Sequence, residues 1–304
     1  MMNGILIIDK PEGLTSAEVV RRVKRGLSVK VGHLGTLDPF ASGVLPLCLG
    51  EGTKIAQFLN TANKTYVGAI RLGEATDTGD RTGAVVRTMP VPPLGPEELR
   101  AIEERFQGDC TQVPPMYSAL KRAGVPLYKL ARQGIEVQRV GRPVRIESLR
   151  LHPIDETHLG FEVSCSKGTY VRVLAEDIGQ ALGSAAHLSA LRRTRFGEFT
   201  LDEAVPLSVW DPRMSRGFLP VREALRHLPV VELDATAIRA VQRGQGWVLA
   251  QIEPVAGDIA VVVGGVGGVV AVIVRKGGRW GFGRVLEGEQ PLQGEAPMLG
   301  KKAK

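Results

Sequence analysis

Between residues 32 and 52 the chain carries five glycines and two prolines in twenty-one positions. No single helix or strand is expected across that density of breakers, because glycine weakens both and proline removes a backbone donor. The segment reads as an irregular stretch held by its flanks, and those flanks mix α with β. Ahead of it, residues 5 to 8 read as a short buried strand, ended by Asp9-Lys10-Pro11. Thr15-Ser16-Ala17-Glu18 is a capping-box pattern, and Val19, Val20, Val23 and Leu27 follow at helical spacing.

The same mixture continues beyond it. Residues 65 to 72 read as a strand, and a proline-rich connector at 90 to 96 leads into a helix over about 97 to 107, stopped by Gly108. Phe161, Val163 and Cys165 alternate with polar residues, as in a half-buried strand. Val171, Leu174, Ile178 and Leu182 then mark an amphipathic helix closed by Gly183. The character changes near Leu228. Short β-rich runs at 259–263, 269–274 and 280–286, separated by glycine turns, suggest a small β-domain. The expected division is 1–226, 227–287 and a disordered tail at 288–304. No internal repeat is present.

Charge narrows the partners. The formal net charge is +7, and its distribution says more than its total. Residues 121 to 150 hold Lys121, Arg122, Lys129, Arg132, Arg139, Arg142, Arg145 and Arg150 against Glu136 and Glu147. Residues 20 to 30 hold five cations and no acid. Such stretches fit a polyanionic partner, and they also fit solvated basic faces. Three scattered cysteines and five histidines show neither a disulfide framework nor metal-ligand spacing, so no metal is expected. The apolar stretch 259–274 is broken by four glycines, and the N-terminus has no signal-peptide pattern. A cytoplasmic protein is expected, without a membrane partner.

Within the breaker-rich segment, Gly32-His33-Leu34-Gly35-Thr36-Leu37-Asp38-Pro39 carries the chemistry. Proline pushes the residue before it toward extended backbone, and the glycines allow a close approach by a ligand. A carboxylate so placed can serve as nucleophile or electrostatic stabiliser at a sugar carbon. Asp-Pro in a loop is equally ordinary turn chemistry.

Residues 32 to 46, Gly-His-Leu-Gly-Thr-Leu-Asp-Pro-Phe-Ala-Ser-Gly-Val-Leu-Pro, resemble the catalytic loop of the TruB family of bacterial tRNA pseudouridine synthases. Five further blocks resemble that family in order. They are Ile8-Asp9-Lys10-Pro11-Glu12-Gly13-Leu14-Thr15-Ser16; Asn63-Lys64-Thr65-Tyr66; Leu72 through Gly83 with Thr76-Asp77-Thr78-Gly79-Asp80; Pro114 through Lys121; and Ser166-Lys167-Gly168-Thr169-Tyr170-Val171-Arg172.

The resemblance implies an α/β (α+β) pseudouridine-synthase fold, with a mixed, largely antiparallel sheet and a small C-terminal PUA-like β-domain. It implies isomerisation of uridine 55 in the tRNA T-loop, by base flipping and without a cofactor. By position, Asp38 would be the nucleophile, Arg172 its charge partner and Tyr66 the residue stacked on the base. Tyr170 and Leu191 would line the uridine pocket, and His33 would fill the space the flipped base leaves. Lys10, Lys64 and Lys121 are expected against the RNA, and 121–150 resembles the family's mobile insertion that closes on the T-arm. A monomer with no obligate protein partner is expected. The competing readings are a guide-RNA-dependent synthase and a non-catalytic tRNA chaperone. Leu34 departs from the family, which generally has threonine there.

Overall fold

The apolar run at 5–8 becomes the middle of strand β1 (Gly4–Lys10), with six of its seven residues buried. A strand apolar at successive positions requires cover on both sheet faces. The computed structural model describes residues 2–253, 255–265 and 267–287, so the expected tail at 288–304 lies outside the described residues. The chain divides into two compact units. The larger comprises Leu6–Leu47 and Ala56–Phe218, and the smaller Met1–Ile5, Cys48–Ile55 and Leu219–Lys304.

After β1, the strands of the main sheet in chain order are β2 (Ser42–Leu49), β3 (Lys64–Leu72), β4 (Gly108–Gln112), β5 (Arg142–Pro153), β6 (His158–Cys165), β7 (Ala186–Phe196) and β8 (Val205–Pro206). Their order in space is β8-β1-β2-β7-β3-β6-β5-β4, with three short strands added off this path. Pairs β3/β6, β3/β7, β5/β6 and β4/β5 are antiparallel, while β1/β8 and β2/β7 are parallel. This is the mixed, largely antiparallel sheet expected.

The helices follow their sequence signals. Helix α1 (Ser16–Arg25) starts at Thr15, whose capping box with Glu18 is complete. Helix α2 (Pro96–Phe106) opens on proline, and helix α3 (Val171–Ala181) follows β6. Val171, Leu174, Ala175 and Ile178 of α3 meet Ile70, Leu149 and Phe161 of the sheet in one apolar seam. Each large side chain buried there contributes about 1.5–3 kcal/mol.

The breaker-rich segment holds a strand after all. From Gly43 to Leu49, β2 is buried, despite Pro46 in its middle. Gly43 has φ +104°, and a Cβ there would lie 2.1 Å from the Arg193 carbonyl, so glycine is what lets β2 approach β7. The proline still accepts, its carbonyl taking the Leu34 N–H at 2.9 Å.

The basic stretch 121–150 also divides. Lys121–Arg122 and Val125–Pro126 form a two-stranded ribbon followed by a helical turn, Leu127–Ala131. From Arg142 onward the chain is β5, paired on both sides, so the part outside the main sheet ends at 141.

In the smaller unit, β9 (Val230–Glu232), β10 (Ile259–Val263), β11 (Val269–Lys276) and β12 (Arg279–Val285) form one sheet in that order. Val231, Val241, Val248, Val262, Ala271 and Ile273 make its core. Helix α4 (Ala235–Gln242) is N-capped by Asp234, which accepts from Thr236 and Ala237 amides. Among the described residues, no helix is long and apolar enough to cross a membrane.

Candidate active site

The loop carrying Asp38 is pinned before its carboxylate comes into play. Ser16, the first residue of α1, donates its hydroxyl to the Leu37 carbonyl at 3.0 Å and accepts the Leu37 N–H at 2.9 Å. The Gly13 N–H donates to the Pro39 carbonyl at 2.7 Å. Leu34, Leu37 and Phe40 are buried. Asp38 is what projects, with 36% of its side chain exposed. Ser16→Ala would leave both Leu37 polar groups unpaired in the interior, a loss of about 1–3 kcal/mol measurable by urea unfolding.

Arg172 enters from the first turn of α3 and is buried. Its Nε donates to Asp38 Oδ2 at 2.9 Å, Nη1 to the Thr78 carbonyl at 2.7 Å and Nη2 to the Tyr117 carbonyl at 2.8 Å. Three separate sequence blocks thus converge on one planar fork. Asp80, also buried, lies 3.9 Å from the same Nε and is held by the Thr78 hydroxyl and by the Thr82 amide and hydroxyl. Burial pushes the Asp38 carboxyl above the usual carboxylate range, and Asp80 adds to the push. The charge and hydrogen bond of Arg172, with Lys10 behind them, pull it back. The open third of its surface keeps one face solvated, which tempers the effect of burial.

Tyr66 on β3 is buried and stands opposite Arg193 of β7 in the register. Leu191, two residues before Arg193, shares that strand face and is also buried. Tyr170 caps the start of α3, half-buried, with its hydroxyl beside Ser118. Its backbone is clamped by the Gln112 side chain, which accepts the Tyr170 N–H at 2.9 Å and donates to its carbonyl at 3.4 Å. His33 is half-buried, and its Nδ1 has no partner among the described residues. Burial, then the charge of Arg193, lowers its pKa, which favours the neutral ring.

Two residues expected against RNA are internal instead. Lys10 is fully buried, and its ammonium donates to the Pro11, Leu14 and Pro39 carbonyls at 2.9, 2.7 and 3.4 Å. Lys64 is buried too, donating to the Ala62 carbonyl at 2.7 Å and lying 4.6 Å from the Phe196 ring centroid. Burial lowers each to about 8. Lys10 therefore ties the turn before α1 to the Asp38 loop, and its charge supports the carboxylate from beneath. Lys121 is exposed on the basic ribbon, as a phosphate contact requires.

Two family models match the chain. Residues 21–171 match the N-terminal domain of TruB family pseudouridylate synthases, and 172–209 match the tRNA pseudouridylate synthase B C-terminal domain. The tRNA pseudouridine synthase B of Aromatoleum aromaticum is 51% identical over 77% of this chain and 78% of its own. That of Geobacter sulfurreducens is 47% identical over 80% and 82%. The chain belongs to the TruB family. It is an isomerase, and the reaction of this TruB family is tRNA pseudouridylation. A solved Cbf5-Nop10-Gar1 complex contains a chain of similar fold, with TM-score 0.69 and 27% identity over 95% of this chain and 84% of that one.

Sequence reasoning singled out neither Asp80, Gln112 nor Arg193 of this TruB site. Asp80 stood inside a quoted block, two residues beyond Thr78. Gln112 has no sequence signal, since its role depends on β4 ending beside Tyr170. Arg193 sat in a basic triplet, where a charged side chain reads as surface.

Proposed function

We propose that the chain converts uridine 55 of the tRNA T-loop to pseudouridine, with Asp38 as nucleophile. The observation carrying this reading is the Asp38–Arg172 pair, set in a loop that Ser16, Lys10 and Gly13 hold rigid. The Asp38 carboxylate bonds to the target nucleoside, the C1′–N1 bond breaks, the base rejoins C1′ through C5, and the bond to Asp38 breaks to restore the carboxylate. The C5 proton then leaves while N1 gains one, so atoms and electrons balance without a cofactor.

Chemistry on a nucleoside in folded RNA first requires unstacking, at a few kcal/mol. Neutral His33 fills the vacated space, and its unpartnered Nδ1 gains a hydrogen-bond partner in the RNA. Tyr66 lies against the base and takes part in the proton step at C5, while Tyr170 and Leu191 line the pocket. Lys121 and the basic ribbon contact phosphates, which makes binding fall with salt. Residues 227–287 act as a PUA-like RNA-binding domain. The enzyme works in the cytoplasm as a monomer on bare tRNA, a reading supported by its higher identity to the tRNA pseudouridine synthase B of Aromatoleum aromaticum than to the chain from the Cbf5-Nop10-Gar1 complex.

Tritium release from tRNA labelled at uridine C5, with mapping of the modified position, tests this. One pseudouridine at 55, formed by the pure protein on a bare T-arm hairpin, is expected. Modification at another position, or a requirement for a guide RNA, would refute it.

A further inference from the structure

Arg193 heads the described side chains that are fully buried, ranked by volume, and it is charged. Among the described residues, no carboxylate forms an ion pair with it, and its charge lies near enough to Lys10, His33 and Lys64 to disfavour theirs. An unpaired buried cation is costly, and an apolar side chain of similar volume would fill the same space without that cost. Its hydrogen bonds suggest what the charge is for. Nε donates to the Val44 carbonyl at 2.7 Å and Nη2 to the Gly35 carbonyl at 2.8 Å. Tyr66 stands opposite Arg193 in the register, close enough for its hydroxyl and the guanidinium to interact electrostatically, and the Phe196 ring centroid lies 5.2 Å from that guanidinium.

We infer that Arg193 is a positioning residue for the reaction, locking the Tyr66 hydroxyl and the Asp38 loop into one frame against the target base. This rests on the proposed place of Tyr66 against that base. A guanidinium can only donate, so a tyrosine hydroxyl facing it turns its oxygen toward the cation and its own O–H away. Held at Gly35, three residues before Asp38, the same fork sets where the nucleophile's loop begins. Its charge also opposes the burial that raises the Tyr66 hydroxyl's pKa.

The test uses Arg193→Met and Arg193→Lys in the full chain, with Asp38→Asn in parallel. The protein has four tyrosines, so a sample labelled at tyrosine Cζ gives four carbon signals, and Tyr66→Phe identifies one of them. In Arg193→Met the Tyr66 signal should move and the single-turnover rate should fall about tenfold or more, with KM for tRNA changed less than about threefold. Arg193→Lys should recover part of the rate, because lysine keeps the charge but not the planar fork. A folded Arg193→Met with either the Tyr66 signal or the rate at its wild-type value overturns the inference. If that variant does not fold, Arg193→Lys decides by the same two measurements. Retained turnover in Asp38→Asn would instead overturn the reading of the site, whatever the Arg193 variants do.

Discussion

Asp38→Asn loses about 10³-fold or more in single-turnover rate, roughly 4 kcal/mol of barrier, while T-arm affinity stays within a few-fold of wild type. The amide is nearly isosteric, and its oxygen can still accept from Arg172 Nε, so the loop pinned by Ser16 keeps its path. What disappears is the anionic oxygen that attacks. Affinity depends on phosphate contacts and on holding the flipped base, neither of which needs that charge. Tritium release and filter binding on the same preparation separate the two. Turnover near wild type in Asp38→Asn would refute the nucleophile assignment.

The wild-type pH profile carries the matching sign. In the proposed mechanism only the ionised carboxylate attacks, and burial places its pKa above the ordinary carboxylate range. Activity is therefore full above that raised value and falls as pH drops through it, earlier than for a solvent-exposed aspartate.

How much was legible depended on whether a residue's role is local. The capping box at Thr15 and the apolar spacing of α3 act within a few residues, and both read directly from the sequence. Strand β2 did not, because Gly43 and Pro46 break the local pattern. Its reasons lie some 150 residues away, where the Arg193 backbone leaves no room for a Cβ. Strand β7 hid behind Arg192, Arg193 and Arg195 for the same cause, since a buried arginine makes sense only beside its acceptors at Gly35 and Val44. Lys10 and Lys64 show the converse. Lysines in motifs of an RNA enzyme suggest phosphate contacts, yet backbone carbonyls of tight turns take both ammoniums. Ordered blocks named residues that the fold brings together around Arg172, while only the fold could tell internal cations from external ones.

Arg172→Met should be the most damaging change at the site after loss of the nucleophile, and it should act on stability and chemistry together. Removing the guanidinium leaves the Thr78 and Tyr117 carbonyls without these donors and sets Asp38 and Asp80 near each other without the cation between them. Breaking a fully buried ion pair from one side costs about 3–5 kcal/mol; with Asp38 a third exposed the loss here is smaller, and urea unfolding would register it. The chemical effect has its own signature. With Arg172 gone, burial and the Asp80 charge both push the Asp38 carboxyl up, and of the cations near it Lys10 remains to oppose them. A larger fraction is then protonated at neutral pH, so the acid limb of the rate profile moves to higher pH. Arg172→Lys should restore charge but not the three-way fork, giving an intermediate limb and partial stability. A folded Arg172→Met whose acid limb coincides with wild type would mean that the arginine only braces the loop. A displaced limb, returning part-way in Arg172→Lys, would show that it holds the nucleophile ionised.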